Sequence, residues 1–167
     1  MRISGRDAGL NRKIKPLVEL KRIILSLKAR GKTIVFTNGC FDLLHYGHVK
    51  YLEDARQKGD CLIVALNSDS SLRRIKGKKR PIVKELDRAR VLAGLESVDY
   101  VVIFSQDTPL KAIKYLKPDI LVKGADWGLK DIVGREVVFK YGGRTAVIKF
   151  LKGYSTTNLI DKIAKKF

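Results

Sequence analysis

A chain of 167 residues, 45% hydrophobic and 31% charged, suits one globular domain with a core large enough to stand without covalent staples. Its two cysteines exclude a disulfide framework, and the absence of a long apolar run or an apolar N-terminal core argues against a membrane span or leader, so a cytoplasmic protein is expected. The net charge of +18 on its own suggests a polyanion, yet the basic residues scatter from Arg2 to Lys166 without any RNA- or DNA-binding motif, so neither a nucleic acid nor a membrane is expected as partner.

In chain order, the first pattern is helical, over residues 16–30, with Leu17, Leu20, Ile23, Ile24 and Leu27 on one face. It divides the chain into an N-terminal extension with one helix, 1–32, and a main domain, 33–167. Strand patterns follow at 33–37, 61–66, 100–104, 120–122 and 145–150. Helical patterns lie between and after them, at 47–58, 84–95, 109–116 and 131–141, the third with Pro109 in its first turn and Thr108 or Asp107 as its cap. Strands apolar on both faces, alternating with helices, predict an α/β fold with a parallel sheet covered on both sides. Ligands of such sheets sit outside the carboxyl ends of the strands.

The sequence after the first strand, GCFDLLHYGH at residues 39–48, sets His45 and His48 three apart around Gly47. At a strand-to-helix turn the free N–H groups and the helix dipole favour an anion, glycine lets backbone approach it, and two imidazoles on one helical face can donate to phosphate. The same pair could be half of a metal site, although the chain has no third histidine and neither cysteine lies at a ligand offset, or simply two surface residues.

Polar clusters follow other strands: Asn67-Ser68-Asp69 after the second, Lys123-Gly124-Ala125-Asp126-Trp127 after the fourth, Gly153-Tyr154-Ser155-Thr156-Thr157 after the fifth. Ser105 to Thr108, after the third, reads as an ordinary helix start. One hydroxyl of Ser155, Thr156 and Thr157 is enough to cap the final helix, and the others exceed that need and suit phosphates. Trp127 is either core or a shield for a nucleotide, with Asp126 accepting from ribose or base.

These residues resemble the cytidylyltransferase-like branch of the nucleotidyltransferases, whose HxGH histidines bind a triphosphate. The resemblance runs over residues 34–163. Within the branch, LNSDSSLRRIKGKKRPI (66–82), LVKGADW (121–127) and GYSTTNLIDKI (153–163) are most similar to adenylyltransferases that make ADP-heptose from heptose 1-phosphate, a precursor of lipopolysaccharide core. The resemblance implies a three-layer α/β/α Rossmann-like fold with five parallel strands in the order 3-2-1-4-5. It implies that Gly39, Cys40, Phe41, Asp42 and Gly47 line the first loop. His45 and His48 would be catalytic contacts to the phosphates, joined by Lys76 from a flexible basic loop with Lys78, Lys79 and Arg80 as helpers. Arg88 would bind the leaving pyrophosphate, Lys123, Gly124, Asp126 and Trp127 would surround ribose and base, and Ser155, Thr156 and Thr157 would close on the phosphates. Two departures stand out. The arginine of the RTxGIST run of glycerol-phosphate relatives is missing from residues 150–154, and Ile160 stands where other relatives end the hydroxyl motif with arginine.

Such chemistry takes ATP with Mg²⁺, which would bridge the triphosphate without a carboxylate cage, and a sugar 1-phosphate; a homodimer is expected. The alternatives are another small-molecule nucleotidyltransferase, such as a glycerol-3-phosphate cytidylyltransferase, and a polyanion- or nucleic-acid-binding protein without turnover.

Overall fold

The computed structural model describes residues 9, 11–125 and 132–166. Five parallel strands, β1 (Ile34–Gly39), β2 (Cys61–Asn67), β3 (Tyr100–Phe104), β4 (Ile120–Gly124) and β5 (Arg144–Ile148), form one sheet in the order β3-β2-β1-β4-β5. The helices are α1 (Leu17–Ala29), α2 (Tyr46–Arg56), α3 (Asp69–Lys76), α4 (Glu85–Ala93), α5 (Leu110–Leu116), α6 (Arg135–Lys140) and α7 (Thr156–Lys166). This is the three-layer α/β/α, Rossmann-like arrangement with the expected strand order.

The period of two along each strand separates the core into two halves. Val35, Leu62, Val64, Leu66, Val101, Ile120 and Val122 pack with Tyr51, Leu52 and Ala55 of α2 and Ala89, Leu92 and Ala93 of α4. Their neighbours Ile34, Phe36, Ile63, Ala65, Val102, Phe104 and Leu121 pack on the opposite face with Leu20 and Ile24 of α1, Ala112, Ile113 and Leu116 of α5, and Val138 of α6. The N-terminal segment therefore contributes to the second half of the core. Lys13 also reaches across to donate to the carbonyls of Leu95 and Val98 at 3.1 and 2.7 Å.

Four details differ from the sequence reading. Residues 69–76 are helical, where a flexible basic loop was expected to hold Lys76. Ser68 caps this helix, its hydroxyl accepting from the Ser71 N–H at 3.2 Å, and Gly77 ends it at φ +92°. β5 stops at Ile148 instead of running to 150, because Phe150 turns its ring over Gly124, whose missing side chain leaves the space. α5 begins at Leu110 with Pro109 as its cap residue; neither Thr108 nor Asp107 holds that place, and the Asp107 carboxylate instead accepts from Arg74 Nε at 2.7 Å. α6 starts at Arg135 behind Gly134, and the expected start at residue 131 lies outside the described residues. Among the described residues, no helix is long and apolar enough to cross a membrane.

Candidate active site

β1 ends at Gly39, and the chain must turn there to enter α2. Phe41 takes φ +42° although it is not glycine, and its ring, 6% exposed, lies where a Cβ on Gly39 would come within 2.8 Å. Such strain is retained where the surroundings hold it and is concentrated at functional sites. The same ring meets His48 edge-on, with centroids 5.2 Å apart.

His45 is the cap residue of α2, with extended backbone and no side-chain capping bond, and His48 lies in the first turn. Their rings stack at 3.8 Å with 18° between planes. Gly47 between them admits protein and not only ligand, since a Cβ there would lie 2.8 Å from Tyr154 Cβ and 3.2 Å from His45 Nδ1. Tyr154 in turn faces His45 at 6.1 Å and Tyr46 at 5.7 Å.

Both nitrogens of His45 and Nδ1 of His48 are buried without a hydrogen-bond partner among the described residues. Burial, followed by the neighbouring His45, lowers the His48 pKa to about 4, and burial also lowers that of His45. At neutral pH the pair is thus uncharged, with donor capacity unused. Buried polar groups are nearly always satisfied, so this pair suits an acceptor-rich ligand.

A cavity of about 500 Å³ opens in front of these rings. Cys40, Phe41 and Asp42 border it from the loop, Lys76 and Arg80 from the α3–α4 side, and Phe150, Leu151, Tyr154, Ser155, Thr156 and Thr157 from the segment after β5. Two smaller cavities, about 130 and 320 Å³, continue it over the ends of β1 and β4 and share Asn38, Gly39, Cys40 and Lys123. Lys123 donates to Asn38, and Gly124 borders the smaller of the two. Ser155 accepts from the Asn158 N–H at 3.0 Å, the capping role, while the Thr156 hydroxyl donates to the Leu43 carbonyl at 3.3 Å.

Two of the expected site residues are engaged within the protein. Asp42, 3% exposed, spends its carboxylate on Arg80 Nε at 2.5 Å and on the N–H groups of Ile82 and Val83 at 2.9 and 3.0 Å. Burial pushes its pKa up, but the Val83 and Ile82 bonds and Arg80 outweigh this and hold it below the usual range. Arg88, 1% exposed, does not border the 500 Å³ cavity. It donates to the Cys40 carbonyl at 2.6 Å, the Asp69 carboxylate at 2.7 Å and the Val83 carbonyl at 2.9 Å, tying the β1 loop to α3 and α4. Asp126 and Trp127 lie outside the described residues. Asn38, Phe150, Leu151 and Tyr154 went unmarked as site residues in the sequence, although Tyr154 stands directly before the hydroxyl run.

Asp42 is fully engaged, and no group of three His, Cys, Asp or Glu side chains among the described residues could hold a metal.

Known proteins resemble this chain in sequence and in fold. The chain is 57% identical over 155 residues to the bifunctional protein HldE of Geobacter metallireducens, and 52% identical over 153 residues to that of Aliarcobacter butzleri. These matches cover 93% and 92% of the chain but 32% and 31% of the relatives, so the chain spans about a third of their length. Among solved structures, a lipopolysaccharide core biosynthesis protein of Thermoplasma volcanium is 28% identical, with TM-score 0.61, covering 75% of this chain and all of that one. Pantoate-beta-alanine ligase of Francisella tularensis, 16% identical with TM-score 0.60 over 92% of this chain and 76% of that one, shares the fold. The cytidylyltransferase-like family model matches residues 36–162, and the chain belongs to that family of nucleotidyltransferases.

Proposed function

We propose that the chain transfers AMP from ATP to a heptose 1-phosphate, giving ADP-heptose and pyrophosphate. The observation that carries this reading is the stacked, uncharged and unpartnered pair His45 and His48 at the start of α2, facing a cavity that Lys76 and Arg80 also border. Similarity to bifunctional HldE proteins over 93% of the chain supports the choice of substrates.

A phosphate oxygen of the sugar 1-phosphate attacks the α-phosphorus of ATP and forms the new P–O bond. The bond from that phosphorus to the bridging oxygen breaks, and pyrophosphate leaves with the electron pair. The attacking oxygen is already anionic at neutral pH, so no general base is needed and the protein contributes positioning and charge stabilisation. His45 and His48 donate to phosphate oxygens as charge develops, in a site where dehydration strengthens each bond. A divalent ion such as Mg²⁺ would enter with ATP as part of the substrate and would offset charge on the triphosphate.

Pyrophosphate release, measured with ATP and with CTP against a panel of aldose and polyol phosphates, tests the proposal. Turnover confined to ATP with a heptose 1-phosphate is expected. Preference for CTP with glycerol 3-phosphate would replace it with the cytidylyltransferase alternative, and salt-sensitive polyanion binding without turnover would refute both.

A further inference from the structure

One cavity-facing cation is held by a carboxylate that has no other freedom. Asp42 grips Arg80 through Nε at 2.5 Å, and its remaining acceptor capacity goes to the N–H groups of Ile82 and Val83. The Asp42 side chain is 1% exposed and that of Arg80 19%, so the pair is partly dehydrated. The two terminal nitrogens of Arg80 make no hydrogen bond among the described residues, and Arg80 borders the 500 Å³ cavity. A guanidinium fixed at one nitrogen presents the other two as a pre-oriented fork, the geometry that matches two oxygens of a phosphate. Lys76, Lys78 and Lys79 are exposed and have no comparable anchor.

The sheet order decides which phosphate the fork meets. Arg80 lies on the connection that follows β2 and α3, whereas Tyr154 to Thr157 follow β5, and β1 with its two histidines lies between β2 and β5. The anion-binding groups thus fall into two walls on opposite sides of the β1 loop. In-line displacement needs such walls, because the incoming oxygen and the departing pyrophosphate occupy opposite sides of the phosphorus. The β2-side wall also adjoins the 320 Å³ cavity through Lys76, and Asn38, Asn67 and Asp107 there offer partners to hydroxyl groups.

We propose that Arg80, positioned by Asp42, clamps the phosphate of the acceptor sugar and sets the enzyme's preference for phosphate-bearing polyols, an inference that rests on the transfer reading above. Arg80 contacts substrate, and Asp42 acts through it.

The test uses the full chain and two substitutions, with folding checked by thermal unfolding. Arg80→Ala removes the clamp but leaves the buried Asp42 without its cation. Arg80→Lys keeps a cation for Asp42 but has a single nitrogen and no planar fork, so it isolates the fork. Calorimetric titration with inorganic phosphate, in the presence of a saturating non-hydrolysable ATP analogue, reads the clamp without turnover. A loss of phosphate affinity of about tenfold or more is expected in both variants, as for one charge-assisted bidentate contact, with the analogue's affinity within about twofold of wild type. In pyrophosphate release, Asp42→Asn raises the KM for the sugar phosphate more than it lowers kcat, which a general loss of structure would not do. Unchanged phosphate affinity in Arg80→Lys, an equal loss of analogue affinity, or no phosphate binding by wild type overturns the proposal. Wild type that binds phosphate but transfers AMP to no aldose 1-phosphate refutes the transfer reading alone.

Discussion

Replacing Arg88 with methionine keeps most of the side-chain volume and removes every donor. In the native chain the guanidinium, 1% exposed, holds the Cys40 and Val83 carbonyls and the Asp69 carboxylate at 2.6 to 2.9 Å. Removing one partner of a buried ion pair costs about 3–5 kcal/mol because the other is left charged and underpaired. The Asp69 side chain is 20% exposed and regains some water, which places the cost near the lower end, about 3 kcal/mol. In a chain of this size that lowers the midpoint of thermal unfolding by about 6–12 °C. Differential scanning calorimetry of Arg88→Met, paired with pyrophosphate release below the new midpoint, separates two roles. A scaffold residue lowers the midpoint and leaves the KM for ATP within a few-fold. A midpoint within 2 °C of wild type together with a large fall in kcat would refute the scaffold role and return Arg88 to the leaving pyrophosphate.

Three further outcomes follow from the same geometry. His48→Ala is expected to lower kcat by about 10²-fold or more with a much smaller change in KM for ATP, and Lys76→Ala to act in the same direction; equal losses in binding and turnover would deny a transition-state role. The folded His48 pKa of about 4 lies below the 6.5 of an ordinary imidazole, so the unfolded chain binds the proton first as pH falls. This contribution to stability is full above pH 6.5 and is lost on the way down to about pH 4, amounting to about 2 kcal/mol between pH 7 and 5; urea unfolding of wild type and His48→Gln checks it, and equal pH slopes would contradict it. Leu20→Ala deletes a fully buried α1 side chain and is expected to cost about 2–5 kcal/mol, while a chain shortened to residues 33–167 should fail to fold cooperatively. Cooperative unfolding of that shortened chain at the wild-type midpoint would instead make α1 a separable extension.

Most of the sheet was legible because β2, β3 and β4 are largely apolar runs with residues buried on both faces and helical patterns between them. α3 was not, since its sequence DSSLRRIK has no apolar stripe and buries only Ser71 and Leu72; its cap at Ser68 was the available signal. The spacing of the two histidines and their place after a strand were enough to set them together at the start of α2, where they border the cavity. Arg88 and Asp42 stood in the sequence as charged residues, and nothing local showed that their partners within the protein lie so far along the chain. Their settings depend on contacts across 48 and 38 positions of chain, between Arg88 and Cys40 and between Arg80 and Asp42.

The net charge of +18 and the uncharged histidine pair belong to different ranges of the same electrostatic task. Cations spread over a surface raise the local concentration of anionic substrates, but their field is screened beyond about 8 Å at physiological salt and cannot select one phosphorus atom. Selection needs donors at hydrogen-bond range in a dehydrated site, and charging both imidazoles there would be costly. Two protonated rings at 3.8 Å repel by about 4 kcal/mol even at an effective dielectric constant of 20, before any loss of hydration. Neutral rings avoid that repulsion and still donate.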